Sequence, residues 1–376
     1  MNPSFFVVQP RDTALFRDAR PFEAGSSAWS MPLPWPSTLA GLLRTQSFLD
    51  NGGAWTGDPA TARQVETWGP WIAELAADGK VLEHYVPAPM DAVFFRREVG
   101  GVAEWHRHRL RPEPPPAALQ SDIPASLHML TLTQGADGTA PDGKTSSGPA
   151  FWSWRAMQAW LQAPPARAEH MRDDSIHALG IDAPPSEERV HVSIDGDTGT
   201  ADDGKLFGTS MRRWSWRDRR GNLRHFAIVG GVRDTSPRTG LVTFGGERRL
   251  SSFRVLEGDA LRPAAWSDGA TILRVVLVTP GIFDKGWRPG CNGALTPGRL
   301  VAAMVPRPES VSGWDWEHNR PKPARRMVPA GAVYWVKFDA PQAARDWADS
   351  MHLGSIADQP QDRLDGFGRI VIGREA

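Results

Sequence analysis

Apolar and polar positions follow several different periods along this chain, and each period predicts an element. Phe5 to Phe16 is apolar and β-branched with a polar break at Gln9 to Thr13, which predicts a strand kinked or bulged at Pro10. From Pro36-Ser37-Thr38 the period lengthens: Leu39, Leu42, Leu43, Gln46 and Leu49 recur at helical spacing until Asn51-Gly52-Gly53, so a helix begins there with Ser37 as its cap. Trp68 to Ala77 reads as helix, Ala92 to Arg96 as extended chain, and Phe151 to Leu161 as the clearest helix of the middle region. Past Val190 the pattern turns to strands: VHVSI, then LFGTSMRRWSW and RHFAIVGGV as a hairpin about Gly221-Asn222, then RRLSSFRVL after a Gly245-Gly246 turn.

The last third is more regular. Ala270 to Pro280 reads as a buried strand, Pro297 to Met304 as a short helix, the region near Trp314 as a weak strand, and Ala332 to Phe338 as a further strand. Pro341 to His352 is then helical, and Asp365-Gly366-Phe367-Gly368-Arg369 turns the chain into a final strand, IVIG. The order is βαββαβ, and the front part reads the same way if its middle is an insertion. The expected fold class is therefore α+β, with two tandem ferredoxin-like (RRM-like) βαββαβ units. Residues 1–265 form the first, with a long irregular insertion at about 112–186, and residues 266–376 form the second, ending in a Gly-rich loop and strand.

Composition narrows the function classes. With 43 basic against 43 acidic residues the chain carries no global positive field, so any contact with nucleic acid needs a local patch. One cysteine, Cys291, excludes an internal disulfide and favours a reducing, cytoplasmic compartment. No run reaches the ~18–20 apolar residues of a membrane span, so no membrane partner is expected. The 37 glycines and 33 prolines predict many turns, and the 17 tryptophans are mostly expected as buried anchors.

Most catalytic signals fail on context. Gly138, Gly143, Lys144 and Thr145 fit GxxxxGK[ST], but Ser146-Ser147-Gly148-Pro149 interrupts the helix that a phosphate-cradling loop must open. His106 and His108 share a strand face, yet zinc wants three or four ligands, so no metal and no cofactor are expected. There is no GxSxG, and Cys291 has no recognisable histidine partner. Basic residues interleaved with aromatics say more. Met211 to His225 holds six arginines and two tryptophans, suited to phosphates and stacked bases. Arg17, Arg20 and Arg44 surround the first helix, Arg248 and Arg249 follow Gly245-Gly246, and Lys322, Arg325 and Arg326 form a late cluster. The helix start at Ser37-Thr38 and the glycine turns at Gly245-Gly246 and Gly366 to Gly368 add unpaired backbone N–H groups. Trp29 and Trp214 are the candidate stacking platforms.

Taken in order, LFRDARPFEAG, PSTLAGLLRT, DGKLFGTSMRR, FGGERRLSSF, SGWD with PKP and VPAGAVYW, and GFGRIVIG resemble the RAMP superfamily, and within it the third subunit of the type III-B CRISPR Cmr effector complex. The resemblance runs from Leu15 to Gly373 and leaves out roughly Trp55 to Pro185. It implies a non-catalytic subunit that holds the 5′ repeat-derived tag of the crRNA. Its partners would be the Cas10-type large subunit, the backbone RAMP subunit and, further, the 3′ flank of a target RNA. Carried onto this chain, Gly25, Ser26, Ser27 and Trp29 with Ser37, Thr38 and Arg44 would face the tag, and Arg189, Lys205, Arg212 and Arg213 would line the same groove. Gly245-Gly246 and Gly366-Phe367-Gly368 would brace the RNA or a subunit contact. Two enzyme readings compete: a RAMP endoribonuclease processing CRISPR precursor RNA by metal-independent acid/base cleavage, and a nucleotidase using Lys144.

Overall fold

A computed structural model describes residues 3–18, 27–116, 118, 122–124, 126–135, 138, 144–258, 260–263, 269–290, 293–315 and 319–375. The fold is mixed α and β, built mostly from antiparallel sheets with few helices. The chain divides into two units that alternate along the sequence: Met1–Glu83, Ala183–Gly258 and Ser310–Arg326 make the first, and His84–Asp182, Asp259–Glu309 and Met327–Ala376 the second.

In the first unit an antiparallel ladder runs Thr67–Leu75, Leu223–Val232, Ser4–Pro10, Leu250–Val255, Gly240–Thr243. The helix Pro36–Ser47 covers one face and buries Leu39, Leu42 and Leu43. Its close approach depends on glycine: a Cβ on Gly230 would stand 2.7 Å from Leu39 Cδ2 and 3.1 Å from Leu43 Cδ1. A second sheet pairs Ser186–Ile194 with Ala201–Arg213, which also takes Thr13–Ala14 antiparallel and Ser27–Trp29 parallel.

The second unit has a four-stranded sheet in the order Arg299–Met304, Val333–Lys337, Ile272–Leu277, Ile370–Arg374, with helix Pro341–Met351 packing Ala344, Trp347 and Ala348 into its core. A further sheet orders Glu169–Met171, Val102–Glu113, Ala92–Val99 and Thr145–Ser146, and Phe94, Trp105, Trp152, Trp160 and Ile176 form a core cluster of the same unit.

Numbering Ser4–Pro10, Thr67–Leu75, Leu223–Val232 and Leu250–Val255 from first to fourth, the first unit orders them second-third-first-fourth, and the four strands of the second unit repeat that order. A βαββαβ unit has this strand order with a helix in both crossovers. Among the described residues each unit has α-helix in one crossover: Pro36–Ser47 and the short Pro59–Gln64 in the first crossover of one, Pro341–Met351 and the short Pro360–Leu364 in the second crossover of the other.

Several expected elements differ. Thr67–Leu75 is a strand, not a helix: it is buried almost throughout, which erases the two-residue alternation, and Trp68, Trp71, Ile72 and Leu75 fall by chance at helical spacing. Arg299–Met304 is likewise a strand, with a bulge between Leu300 and Ala302 that disturbs its period. The first helix is capped by Trp35 with Pro36 in its first turn, so Ser37 lies inside it and not at the cap. The stretch read as irregular insertion does carry the helix expected over Phe151 to Leu161, as Trp154–Gln162, with a further helix at Asp173–His177; its several strands of two to four residues were too short to leave a period.

A half-buried histidine in the second unit sets a pH response. His352 Nε2 lies 2.7 Å from the Leu261 carbonyl oxygen, and burial holds its pKa below the usual 6.5. The unfolded chain therefore takes up a proton near 6.5 while the folded chain does not, so stability is whole above that pH and declines below it. The melting temperature should fall between about pH 7 and pH 5.5, and less steeply in His352→Gln; equal slopes would remove His352 from the account.

Candidate nucleic-acid interface

Four segments distant in sequence meet around a groove of about 990 Å³ in the first unit. Leu15, Phe16 and Arg17 lead out of the Thr13–Ala14 strand. The exposed side of the first helix adds Thr38, Gly41 and Thr45, spaced three and four residues apart so that they share a face. Gly245 and Gly246 form a third wall, and Ser312, Gly313 and Pro321 a fourth. Arg17 and Asp18 are the only charged side chains lining it among the described residues. The walls are otherwise hydroxyls, the Gln46 amide, glycine backbone and apolar carbon, suited to a chain held by N–H and O–H donors more than by cations.

The glycine turn is held by the groove's own floor. Gly246 N donates to Leu15 O at 2.8 Å, Phe244 N to Arg249 O at 2.9 Å, and the Phe16 and Phe244 rings sit 5.2 Å apart. Gly245 has φ 83°, and a Cβ there would meet Leu15 O at 2.7 Å, so no other residue fits. Glu247 and Arg248 follow at φ 60° and 48°, a left-handed pair that L residues adopt at a cost. Trp35, the residue that caps the first helix, also lines the groove; it is 9% exposed and its indole N–H has no partner.

The structure thus gathers Arg17, Thr38, Gly245 and Gly246 at one place. Arg248 is exposed on the turn, and Lys322 is exposed beside Gly313, to whose carbonyl its backbone N–H donates at 2.8 Å. Trp29 stays 52% exposed on the strand that runs parallel to Gly208–Ser210. Ser27 begins that strand. Arg20, Gly25 and Ser26 lie outside the described residues.

Other expected contacts are engaged within the protein. Arg44 donates to the Val65 carbonyl from Nε (3.1 Å) and Nη2 (2.9 Å). Arg212 donates to the carbonyls of Ser30 and Pro184 and to Ser186 Oγ, and burial pulls its pKa below the usual arginine value. Arg189 bridges Glu187 and Asp12, Arg213 pairs with Glu187 at 2.9 Å, and Arg249 reaches Asp12 at 3.2 Å. The hydrogen bond from Arg189, with Arg213 behind it, holds the Glu187 carboxyl below its usual range. Lys205 pairs with Asp202. Trp214 is 1% exposed, which leaves no ring face for a base. Gly366, Phe367 and Gly368 belong to the second unit: Thr279 Oγ1 donates to Gly366 O, Ser355 Oγ to Phe367 O, and Gly368 N to Pro280 O, while the Phe367 ring is buried. Lys144 precedes Thr145–Ser146, which pairs as strand with Phe94 and Phe95 and opens no helix; Gly143 and Cys291 lie outside the described residues.

Sequence reasoning missed Trp35, Gly41, Thr45 and Gln46 in the groove; the run Thr38, Gly41, Thr45 of small residues opposite the leucines was the available signal. It also missed a groove of about 670 Å³ in the second unit, where His128, Lys285, Arg288, Arg299 and Lys337 converge.

The family model described as CRISPR-associated protein (Cas_Cmr3) matches residues 6–375. The chain belongs to the Cas_Cmr3 family. It is accordingly a Cmr3-type subunit of the type III-B CRISPR effector complex. Two solved chains are similar across nearly the whole length. One comes from a cryo-EM structure of the type III-B Cmr-beta bound to cognate target RNA and AMPPnP, state 1, with TM-score 0.49 and 13% identity, covering 98% of this chain and 99% of that one. The other, from Cmr-beta bound to cognate target RNA, has TM-score 0.48 and 14% identity, covering 97% and 96%. No curated protein sequence matches this one. Among the described residues of this Cas_Cmr3 family member, no helix is long and apolar enough to cross a membrane.

Proposed function

We propose that this subunit holds the 5′ tag of the crRNA in the groove of its first unit, without catalysing a reaction, and bridges the Cas10-type subunit to the backbone RAMP subunits in the cytoplasm. The 3′ flank of a target RNA is the further partner in this reading. The observation that carries it is the meeting of Arg17, Thr38, Gly245 and Gly246 around one groove, since these were singled out for phosphate chemistry from separate parts of the sequence. The two sheets sharing one strand order support reading each as a ferredoxin-like unit, one within 1–265 and one within 266–376. The groove lining contains no histidine among the described residues, which favours a holder over an acid/base nuclease.

The test is a salt titration of guide RNA binding, with intact and scrambled tags, on the chain alone and with its partner subunits. Arg17, Arg248 and Lys322 are the cations at or beside the groove, so about three phosphates are neutralised and the log–log slope should be about −2. Trp29→Ala should weaken tag binding by roughly 1–3 kcal/mol at unchanged melting temperature if the exposed indole stacks on a base. Binding blind to the tag, a slope of about −5 or steeper, or strand cleavage would overturn the reading.

A further inference from the structure

Metal chemistry is closed to WHRHRL as a sequence, because His106 and His108 provide at most two ligands. The fold supplies a third group. Along Val102–Glu113 the side chains alternate, so Glu104, His106 and His108 share one face while Trp105 and Arg107 turn to the other, where Arg107 lies over the Trp152 and Trp160 rings. Glu169–Met171 pairs antiparallel with this strand and sets His170 directly opposite His106. The two imidazole centroids are 5.3 Å apart, and ligand atoms of Glu104, His106 and His170 all lie within 4.8 Å of one another. No other such cluster occurs among the described residues. His108 is engaged elsewhere, its Nδ1 lying 2.6 Å from the Thr133 carbonyl oxygen.

We propose that Glu104, His106 and His170 bind a zinc-class divalent ion that clips the Glu169–Met171 strand to the long hairpin of the second unit. His106 Nε2 is buried and has no hydrogen-bond partner, a nitrogen without a role until an ion takes its lone pair. Bonds of ~2.0–2.1 Å to nitrogen place tetrahedral ligand atoms about 3.3–3.4 Å apart, so the cluster must close by about 1.5 Å. Side-chain rotation supplies that, since His170 is exposed and both backbones are fixed by the ladder. Arg97 competes for Glu104 at 3.1 Å, but its side chain is 56% exposed and free to turn to water. Two imidazoles and one carboxylate suit zinc, whereas magnesium and calcium prefer oxygen alone. The fourth position is left to a water molecule.

The experiment uses untagged full-length chain stripped with a chelator, then titrated calorimetrically with zinc chloride and, separately, magnesium chloride. One equivalent of zinc should bind and raise the melting temperature, with no heat from magnesium over the same range. His106→Ala and His170→Ala should each weaken zinc by at least ~100-fold, because loss of a group merely supporting a ligand already costs ~10–100-fold. His191→Ala, in the first unit, should leave zinc affinity unchanged. If circular dichroism shows that His106→Ala misfolds, exposed His170 decides the matter alone. Absence of stoichiometric zinc, or binding that neither variant alters, overturns the site; RNA affinity plays no part in the readout.

Discussion

Asp91→Ala should cost the second unit roughly 3–5 kcal/mol, the penalty for removing one member of a fully buried ion pair. Asp91 and Arg274 are both 0% exposed, with Nη1 and Oδ2 2.7 Å apart. Asp91 Oδ1 also accepts the Trp160 indole N–H at 2.9 Å, while Arg274 Nε donates to the Arg374 carbonyl at 3.0 Å and Nη2 donates to the Trp160 carbonyl. The guanidinium is thus tied to the final strand and to the helix Trp154–Gln162, and the Asp91 carboxylate is the nearer of the two that offset its charge, Glu375 Oε2 standing 3.9 Å from Nε. Truncating Asp91 leaves the buried guanidinium with only Glu375, 3.9 Å from Nε, and the Trp160 indole N–H without its acceptor. Asp91→Asn should lose less, because a side-chain amide still accepts from Trp160. Denaturant unfolding of the three proteins measures both steps; a loss below about 1 kcal/mol for Asp91→Ala would mean that water reaches the pair.

Gly41→Glu should abolish most tag binding while leaving the fold at least as stable. Position 41 lies on the groove side of the first helix, and a Cβ built there meets nothing within 4 Å. Replacing a helical glycine by a residue that fits recovers up to about 1 kcal/mol of helix propensity, so the melting temperature should hold or rise. The added carboxylate meanwhile stands where phosphates are proposed to run, and affinity for tagged RNA should drop by about a hundredfold, or 2.8 kcal/mol. Gly41→Lys separates charge from bulk: it fills the same space and should lose far less. If both variants bind as the parent does, the RNA does not occupy this groove.

How much of this was legible beforehand depended on how each residue is buried. The first helix was readable because leucines recur on one side and polar residues on the other, the signature of an element with one wet face. Thr67–Leu75 was not, because a strand covered on both sides has no polar alternation to show. The candidate interface split along similar lines. Glycine at 245 announces a positive φ, and that backbone demand survives in the sequence. Arginines announce only charge. Whether Arg213 faces a phosphate or Glu187 depends on a partner 26 residues away across a ladder, and nothing local records it. Trp214 and Trp29 are likewise indistinguishable as letters, yet one is enclosed and the other half exposed. His170 shows the same limit from the other side: 64 positions separate it from His106, and only the register makes them neighbours.

The alternation of the two units along the chain bears on synthesis. By Gly258 every strand of the first unit's large ladder has been made, so that sheet can form while translation continues. Ser312, Gly313 and Pro321, the fourth wall of the groove, come more than fifty residues later, after a long excursion through the second unit. A nascent chain therefore carries three of the four segments of its groove before it can enclose anything. Under the proposed reading, guide RNA present at the ribosome would meet an open trough, and closure around it would fall to one of the last segments to emerge.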